Sequence, residues 1–353
     1  MEKLNHPLTE LFLRNHDLLA NENVVFAGDI DSMQVLNLAK GCNKATFIID
    51  NYAVAKQCAA ALGQNLCTSF NEKVSVGFIS IIFAPLELAA KEIKEVSRLV
   101  VFLSKAKKYT ATLLRELQSQ LTPNAQILIA GSNDSGGKSA DSLLKECGNP
   151  YKVDSARKCT LFAVNYEKVF SRIPTPKAIS YKDLTLNQSA GVFSQGKVDE
   201  GTALLLEKIP EDIAGLNALD LGCGCGILGL TLAKHGAHVT FIDVSAQALY
   251  LASQNAQVNK VEDNCTFTAS FMLDNATSYD LIVTNPPFHE GIKKAEGATL
   301  HMISMAPNHL NQNGALYLVG NSFLNYDLPL QDAFKQVETL AKTTRFVVFK
   351  ACI

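Results

Sequence analysis

The sequence predicts an α/β protein made of two tandem open sheets. Three observations point there. Short β-branched runs alternate with helical stretches, a glycine-rich turn at 222–226 separates a buried strand from a helix, and strand motifs of the second half recur in the first. At 353 residues the chain has room for two domains of about 150 residues each.

The second half reads most clearly. Residues 218–221 form a buried strand, and a helix follows the glycines to about His235. His238 to Asp243 (HVTFID) is a second strand, 246–259 a second helix, Cys265 to Ala269 a third strand and 280–284 a fourth. A helix over 298–310 precedes strands at 314–319 and 345–350. Continuous apolar strands alternating with helices predict a parallel sheet covered on both faces. Ligands of such sheets sit beyond the carboxyl ends of the strands.

The first half reads as a worn copy. TFIIDNYAVA at 46–55 matches VTFIDVSAQA at 239–248, so Asp50 echoes Asp243. ILIAGSN at 127–133 echoes LYLVGNS at 316–322. These pairs imply a duplication; the alternative is chance similarity of strand composition. Where the second half has Gly222-Cys223-Gly224-Cys225-Gly226 after Asp220, the first has Gly28 alone. Where the second has Asn285-Pro286-Pro287-Phe288 after its fourth strand, Phe83-Ala84-Pro85-Leu86 reads as the counterpart and lacks the amide. The expected organisation is a domain over 1–165, a linker over 166–186 stiffened by Pro174 and Pro176, and a domain over 187–353.

Composition excludes several classes. Apolar residues at 47 % and charged residues at 19 % mark a globular chain. A net charge of −2 argues against a surface that is basic throughout, while leaving room for local patches. The nine cysteines are odd in number and form no C-x-x-C pair, which argues against a disulfide framework or a zinc ribbon. The seven histidines show no metal-ligand spacing, so no metal is expected. MEKLNHPLTELFL lacks the shape of a secretory signal, and Val74 to Ala90 is broken by Pro85 and Glu87. A reducing cytoplasm is the expected location, with no membrane partner.

The glycine turn lets the backbone approach a ligand without an intervening Cβ. One strand later, Asp243 ends its strand where a carboxylate can accept from two ribose hydroxyls, with Val244 beside it. A dinucleotide site can be read from Gly224 to Gly229. The acidic start at Asp220 disfavours a diphosphate and favours the cationic S-adenosylmethionine. The bland reading is a helix start with an ordinary strand-end aspartate.

Asn285-Pro286-Pro287-Phe288 holds one amide, one free carbonyl and one aromatic ring on a stiff loop. That set suits a planar amino group on a ring. The Asn285 side-chain oxygen and the Pro286 carbonyl can each accept one N–H, which directs the nitrogen lone pair toward an incoming methyl. Phe288 can stack on the ring, worth roughly 1–3 kcal/mol for a base. The bland reading is an asparagine-capped turn.

With IVTNPPFHEG at 282–291, AGVFSQGKVD at 190–199 and Gly201-Thr202-Ala-Leu-Leu205, the chain resembles the class I S-adenosylmethionine-dependent ribosomal RNA guanine-N2 methyltransferases, nearest to those of the small-subunit (16S) RNA. The resemblance covers nearly the whole chain. It implies two tandem Rossmann-like methyltransferase domains from a duplication, the N-terminal one degenerate and serving support and RNA docking. It implies that Asp220, Gly222 and Gly224 border the methionine part of the cofactor, that Asp243 holds its ribose, that Ser270 and Phe271 border its adenine, and that Cys223, Gly226, Val244 and Asn285 also belong to the cofactor site. Relatives commonly carry Asn or Asp at position 271, so the Phe271 backbone is the expected contact. Asp199 and Thr202 would close over the methionine end, and Asn285 to Phe288 would hold the amine. His289 belongs to the same signature, with hydrogen bonding favoured over acid–base work.

A stacked guanine must leave its stack before it can react. Candidate phosphate contacts are Lys105, Lys107 and Lys108, Arg157 and Lys158, and Lys293 and Lys294. The implied reaction is methyl transfer to the exocyclic N2 of a guanine in 16S RNA of the small ribosomal subunit. Alternatives are the same chemistry on large-subunit guanine, adenine N6 or glutamine N5. A dinucleotide oxidoreductase and a non-catalytic RNA scaffold are rivals of other classes. Ser135-Gly-Gly-Lys138 lacks P-loop spacing and reads as a loop.

Overall fold

The computed structural model describes residues 6–171, 176–192, 196–274, 276–286 and 292–353, with the backbone alone for 292–296. The chain divides into two compact units, Met1–Pro174 and Thr175–Ile353.

The first unit carries β1 (Asn23–Gly28), β2 (Lys44–Ile48), β3 (Glu72–Val76), β4 (Ile79–Phe83), β5 (Val96–Phe102), β6 (Leu121–Ser132), β7 (Tyr151–Ala156) and β8 (Cys159–Asn165). Its helices are α1 (Pro7–Leu13), α2 (Tyr52–Ala61), α3 (Leu86–Ala89) and α4 (Lys107–Leu117). The sheet order is β3-β4-β2-β1-β5-β6-β8-β7. The β4, β2, β1, β5 and β6 strands run parallel, and β3, β8 and β7 join by antiparallel pairing.

The second unit opens with a hairpin of β9 (Ile179–Tyr181) and β10 (Leu184–Leu186). Then come α5 (Glu200–Leu206), β11 (Asn217–Leu221), α6 (Ile227–Lys234), β12 (His238–Asp243), α7 (Ala246–Val258), β13 (Cys265–Ala269) and β14 (Tyr279–Thr284). After these lie α8 (Ile292–Met305), β15 (Leu310–Asn321), α9 (Asp327–Ala333), β16 (Gln336–Lys342) and β17 (Phe346–Cys352). The order is β13-β12-β11-β14-β15-β17-β16. Leu219, Leu221, Ile282, Leu316 and Leu318 form the heart of its core under Met302, Ile303 and Leu330. Each fully buried aliphatic side chain contributes about 1.5–3 kcal/mol.

Several expectations need correction. The sheet is parallel only through β15; β17 is antiparallel to it, and β16 to β17. The three residues 343–345 between β16 and β17 can close only a hairpin, since a parallel crossover needs a dozen or more. The helix expected to 310 stops at Met305, and Ala306–His309 forms a 3-10 turn with Pro307 at its start. Proline has no N–H for a continuing helix. Much of the expected linker is folded: Phe170 is buried in the first core, and 179–186 is the β9–β10 hairpin.

Without β3, the first sheet has the strand order of the second. Laying Gly28 on Gly222, the ladders set Val25 against Thr46 and Leu99, and Leu219 against Thr240 and Ile282. In this register Phe26 stands where the second unit has Asp220, and Phe102 where it has Asn285. Phe83 to Leu86 therefore follows the counterpart of β13, not of β14, and is not the equivalent of the 285–288 loop. Phe26 stacks on Phe47 with ring centroids 4.5 Å apart, and Phe102 packs on Phe12 at 5.3 Å. Nearby, the Tyr109 ring is buried facing Asp50, Asp29 and Glu87, and its hydroxyl is held well above the usual tyrosine range, by burial first and by these acids second.

Candidate functional site

The site lies at the carboxyl edge of the second sheet, where β11, β12 and β14 end. Its floor is the glycine turn. Gly222 and Cys223 donate their amides to Ile242 O at 2.8 and 3.0 Å, tying the turn to β12. Gly222 and Gly224 have φ of +71° and +54°. A Cβ at Gly222 would meet nothing within 4 Å, and one at Gly224 only Val192, at 4.0 Å. These two glycines thus leave open space above the turn. Gly226, at φ +86°, is different: a Cβ there would stand 3.0 Å from Ala252 Cβ, so this glycine serves the packing of α7.

Asp220 lies beneath the turn and is 1 % exposed. Its Oδ2 accepts from Gly229 N at 2.8 Å, and its Oδ1 has no partner among the described residues. Burial pushes the carboxyl up to about 8; the Gly229 amide opposes the shift and the charge of Asp243 adds to it. A buried carboxyl oxygen without a donor favours a cation or donor from outside the protein.

Asp243 is half-buried and accepts from Gly224 N and Ser245 N, both at 2.9 Å. It knits the turn to the end of β12. Val244 follows it, half-buried. Ser270 is buried and donates its amide to Asp243 O at 3.1 Å, and the Phe271 ring is 43 % exposed at the end of β13. Burial pushes the Cys223 thiol far up and that of Cys225 up to about 11, so neither is a thiolate near neutral pH.

Asn285 follows β14. Thr284 Oγ1 donates to Leu221 O at 2.8 Å, which ties the ends of β14 and β11 together just before it. The Asn285 Nδ2 donates to Thr202 Oγ1 at 2.7 Å and to Asp199 Oδ2 at 3.1 Å. Its Oδ1 is buried without a partner among the described residues. Pro286 is buried. Pro287, Phe288 and His289 lie outside the described residues, as do the side chains of Lys293 and Lys294.

The structure therefore joins Asp199 and Thr202 to Asn285, a grouping that the sequence reading did not make. It also reveals a clamp that reading missed. Asn255 is fully buried; it accepts from Asn187 N at 2.7 Å and donates to Cys225 O at 2.9 Å. Asn259, one turn on, grips Thr185 N and O at 2.9 and 2.7 Å. Two asparagines four residues apart on one helix face were the available signal.

In the first unit, Lys105, Lys107 and Lys108 are exposed around the start of α4. Lys107 Nζ lies 3.3 Å from Ser139 Oγ, and Lys158 O accepts from Asn133 N at 2.8 Å. The loop after β6, carrying exposed Lys138, thus bridges the two groups at one sheet edge. Arg157 is engaged by Glu10 in an ion pair and is a poorer candidate than the sequence suggests. Among the described residues no cluster of ligating side chains suits a metal, and no helix is long and apolar enough to cross a membrane.

The profile of the methyltransferase small domain matches residues 183–350, and that of the methyltransferase small domain N-terminal matches 9–179. Ribosomal RNA small subunit methyltransferase C of Proteus mirabilis is 33 % identical, with 98 % of each chain covered. The protein of the same name from Psychromonas ingrahamii is 32 % identical, over 100 % of this chain and 99 % of its own. Among solved structures, the 16S rRNA N2 methyltransferase of T. thermophilus, in complex with AdoMet and guanosine, superposes with a TM-score of 0.77 at 23 % identity, covering 95 % of this chain and 91 % of that one.

Proposed function

The chain belongs to the ribosomal RNA small subunit methyltransferase C family, and from that membership and the site we propose that it methylates the exocyclic N2 of a guanine in 16S ribosomal RNA, with S-adenosylmethionine as donor. The single observation that carries the assignment of the acceptor site is Asn285 Oδ1, a buried amide oxygen without a partner among the described residues, just past the end of β14, which pairs with β11.

The residues present fit the donor. Gly222 and Gly224 leave the room, Asp220 Oδ1, without a partner among the described residues, is an acceptor for a cationic group, and Asp243 stands at the strand end where a ribose would lie. When bound, S-adenosylmethionine supplies a methyl on a sulfonium, a good leaving group. The protein needs no strong base at the acceptor. Asn285 Oδ1 and Pro286 O take the two amine hydrogens and so aim the nitrogen lone pair. Catalysis on this reading is chiefly positioning for in-line attack.

The first unit offers a phosphate-binding edge in Lys105, Lys107, Lys108, Lys138 and Lys158. The partner on this reading is the small subunit or its RNA, met in the cytoplasm, where the nine free cysteines stay reduced.

The deciding experiment incubates the protein with methyl-labelled donor and small subunits, large subunits, free RNA or protein, then maps the modified nucleoside. N2-methylguanine in small-subunit RNA is expected; label in protein or in adenine would overturn the reading. Asn285→Ala should abolish transfer while S-adenosylhomocysteine still binds, and retained turnover would remove the amine-clamp mechanism.

A further inference from the structure

A carboxamide can face either way, and the two ends do opposite things. At Asn285 the direction is fixed by its neighbours. Asp199 Oδ2, 3.1 Å from Asn285 Nδ2, is an acceptor. Turning the amide over would set oxygen against oxygen and present an NH₂ to an incoming NH₂. Thr202 Oγ1, at 2.7 Å, takes the second hydrogen of the same nitrogen. With both Nδ2 hydrogens engaged, Oδ1 is the end left to meet a substrate.

The two orienting groups are themselves held. Thr202 N donates to Asp199 Oδ2 at 3.0 Å, so the carboxylate that orients Asn285 is also the cap of α5. Gly201 lies between them. A Cβ there would stand 2.9 Å from the Phe346 ring and 3.0 Å from Asp199 Oδ2. The glycine keeps the carboxylate where it is. Thr202 is 6 % exposed, so its hydroxyl is shielded from competing water.

We propose that Asp199 and Thr202 are positioning residues that set the direction of the Asn285 carboxamide, so that its oxygen is the acceptor offered to the substrate amine. The proposal rests on reading Asn285 as the amine's acceptor, and it gives the two residues this task in place of direct contact with the methyl donor. The orientation matters most as the amine begins to gain positive charge, when its N–H groups become stronger donors. The expected effect is therefore on kcat rather than on donor affinity.

Three variants test it. Thr202→Val keeps the shape and removes the hydroxyl; Thr202→Ser restores the hydroxyl. Asp199→Ser keeps a capping oxygen for α5 but is too short to reach Asn285. Thr202→Val and Asp199→Ser should each lower kcat by about tenfold or more, with the Kd for S-adenosylhomocysteine within about twofold of the parent, and Thr202→Ser should recover most of the rate. Unchanged kcat in both, with Asn285→Ala inactive, overturns the orienting role alone. A loss of donor affinity in step with the rate overturns it in favour of direct donor contact. An active Asn285→Ala instead sinks the reading of the acceptor.

Discussion

The Gly229 amide donates to Asp220 Oδ2 across 2.8 Å, joining the first turn of α6 to a carboxyl buried in β11. The same carboxyl leaves its second oxygen unpartnered among the described residues. One amide is a small compensation for a buried acid, and pH makes the shortfall visible.

Asp220 is raised from 3.8 to about 8 in the folded chain, chiefly by burial. The folded state therefore holds its proton over a range in which the unfolded state has lost it. Its contribution to stability is complete below 3.8 and is lost as pH rises through about 8. Urea denaturation across that range should show stability falling with pH, and Asp220→Asn should flatten the slope. A positively charged donor favours the ionised carboxyl, so its binding should tighten toward alkaline pH and release a proton. Calorimetry in buffers of different ionisation enthalpy reads that release, and Asp220→Asn should remove it.

Gly229 is required for packing as well as for its amide. A Cβ there would overlap the Phe241 ring, 2.6 Å from its Cζ, and stand 3.0 Å from Asp220 Cβ. Gly229→Ala should destabilise the protein by roughly 1–3 kcal/mol by overpacking. A denaturation midpoint equal to that of the parent would show that α6 can shift away.

Asn255 grips Asn187 and Cys225 from a fully buried position. Asn255→Leu fills the volume but leaves Asn187 N and Cys225 O without their partner. A loss of about 2–3 kcal/mol is expected. Donor affinity should fall too, because Cys225 belongs to the glycine turn. Asn259→Leu, which loses only the Thr185 contacts and that to Asn255 O, should cost stability with less effect on affinity.

Charge reversal at Lys105, Lys107 and Lys108 should weaken RNA binding and lessen its dependence on salt, since fewer counterions are released. Affinity for S-adenosylhomocysteine should not change. RNA binding equal to the parent's at two salt concentrations would remove this edge from the interface.

Much of the second sheet was legible because its central strands are apolar runs ended by turn residues. His238–Asp243 and Cys265–Ala269 have the bounds that the sequence suggests. Gln336–Lys342 was not legible, for it is a mostly solvated edge strand whose polar residues follow no apolar rhythm. The glycine turn and Asn285 could be found as local strings. Their partners could not: Asp199 and Thr202 lie 86 and 83 residues away from Asn285, and only the closing of the fold brings them within hydrogen-bond reach. The burial of Asp220 was legible from its place in an apolar strand, but its hydrogen bond to Gly229 was not, because only the packing of α6 on β11 brings that amide to the carboxyl.

Phe26 and Phe102, set where the second sheet has Asp220 and Asn285, make the two halves fail differently. Damage along the first sheet's carboxyl edge strikes a filled core and should surface as a poor yield of folded material. Damage along the second should surface as well-behaved protein that turns over slowly. A mutational scan scored separately for abundance and for rate should set Phe26 and Phe102 in the first class and Asn285, Asp199 and Thr202 in the second.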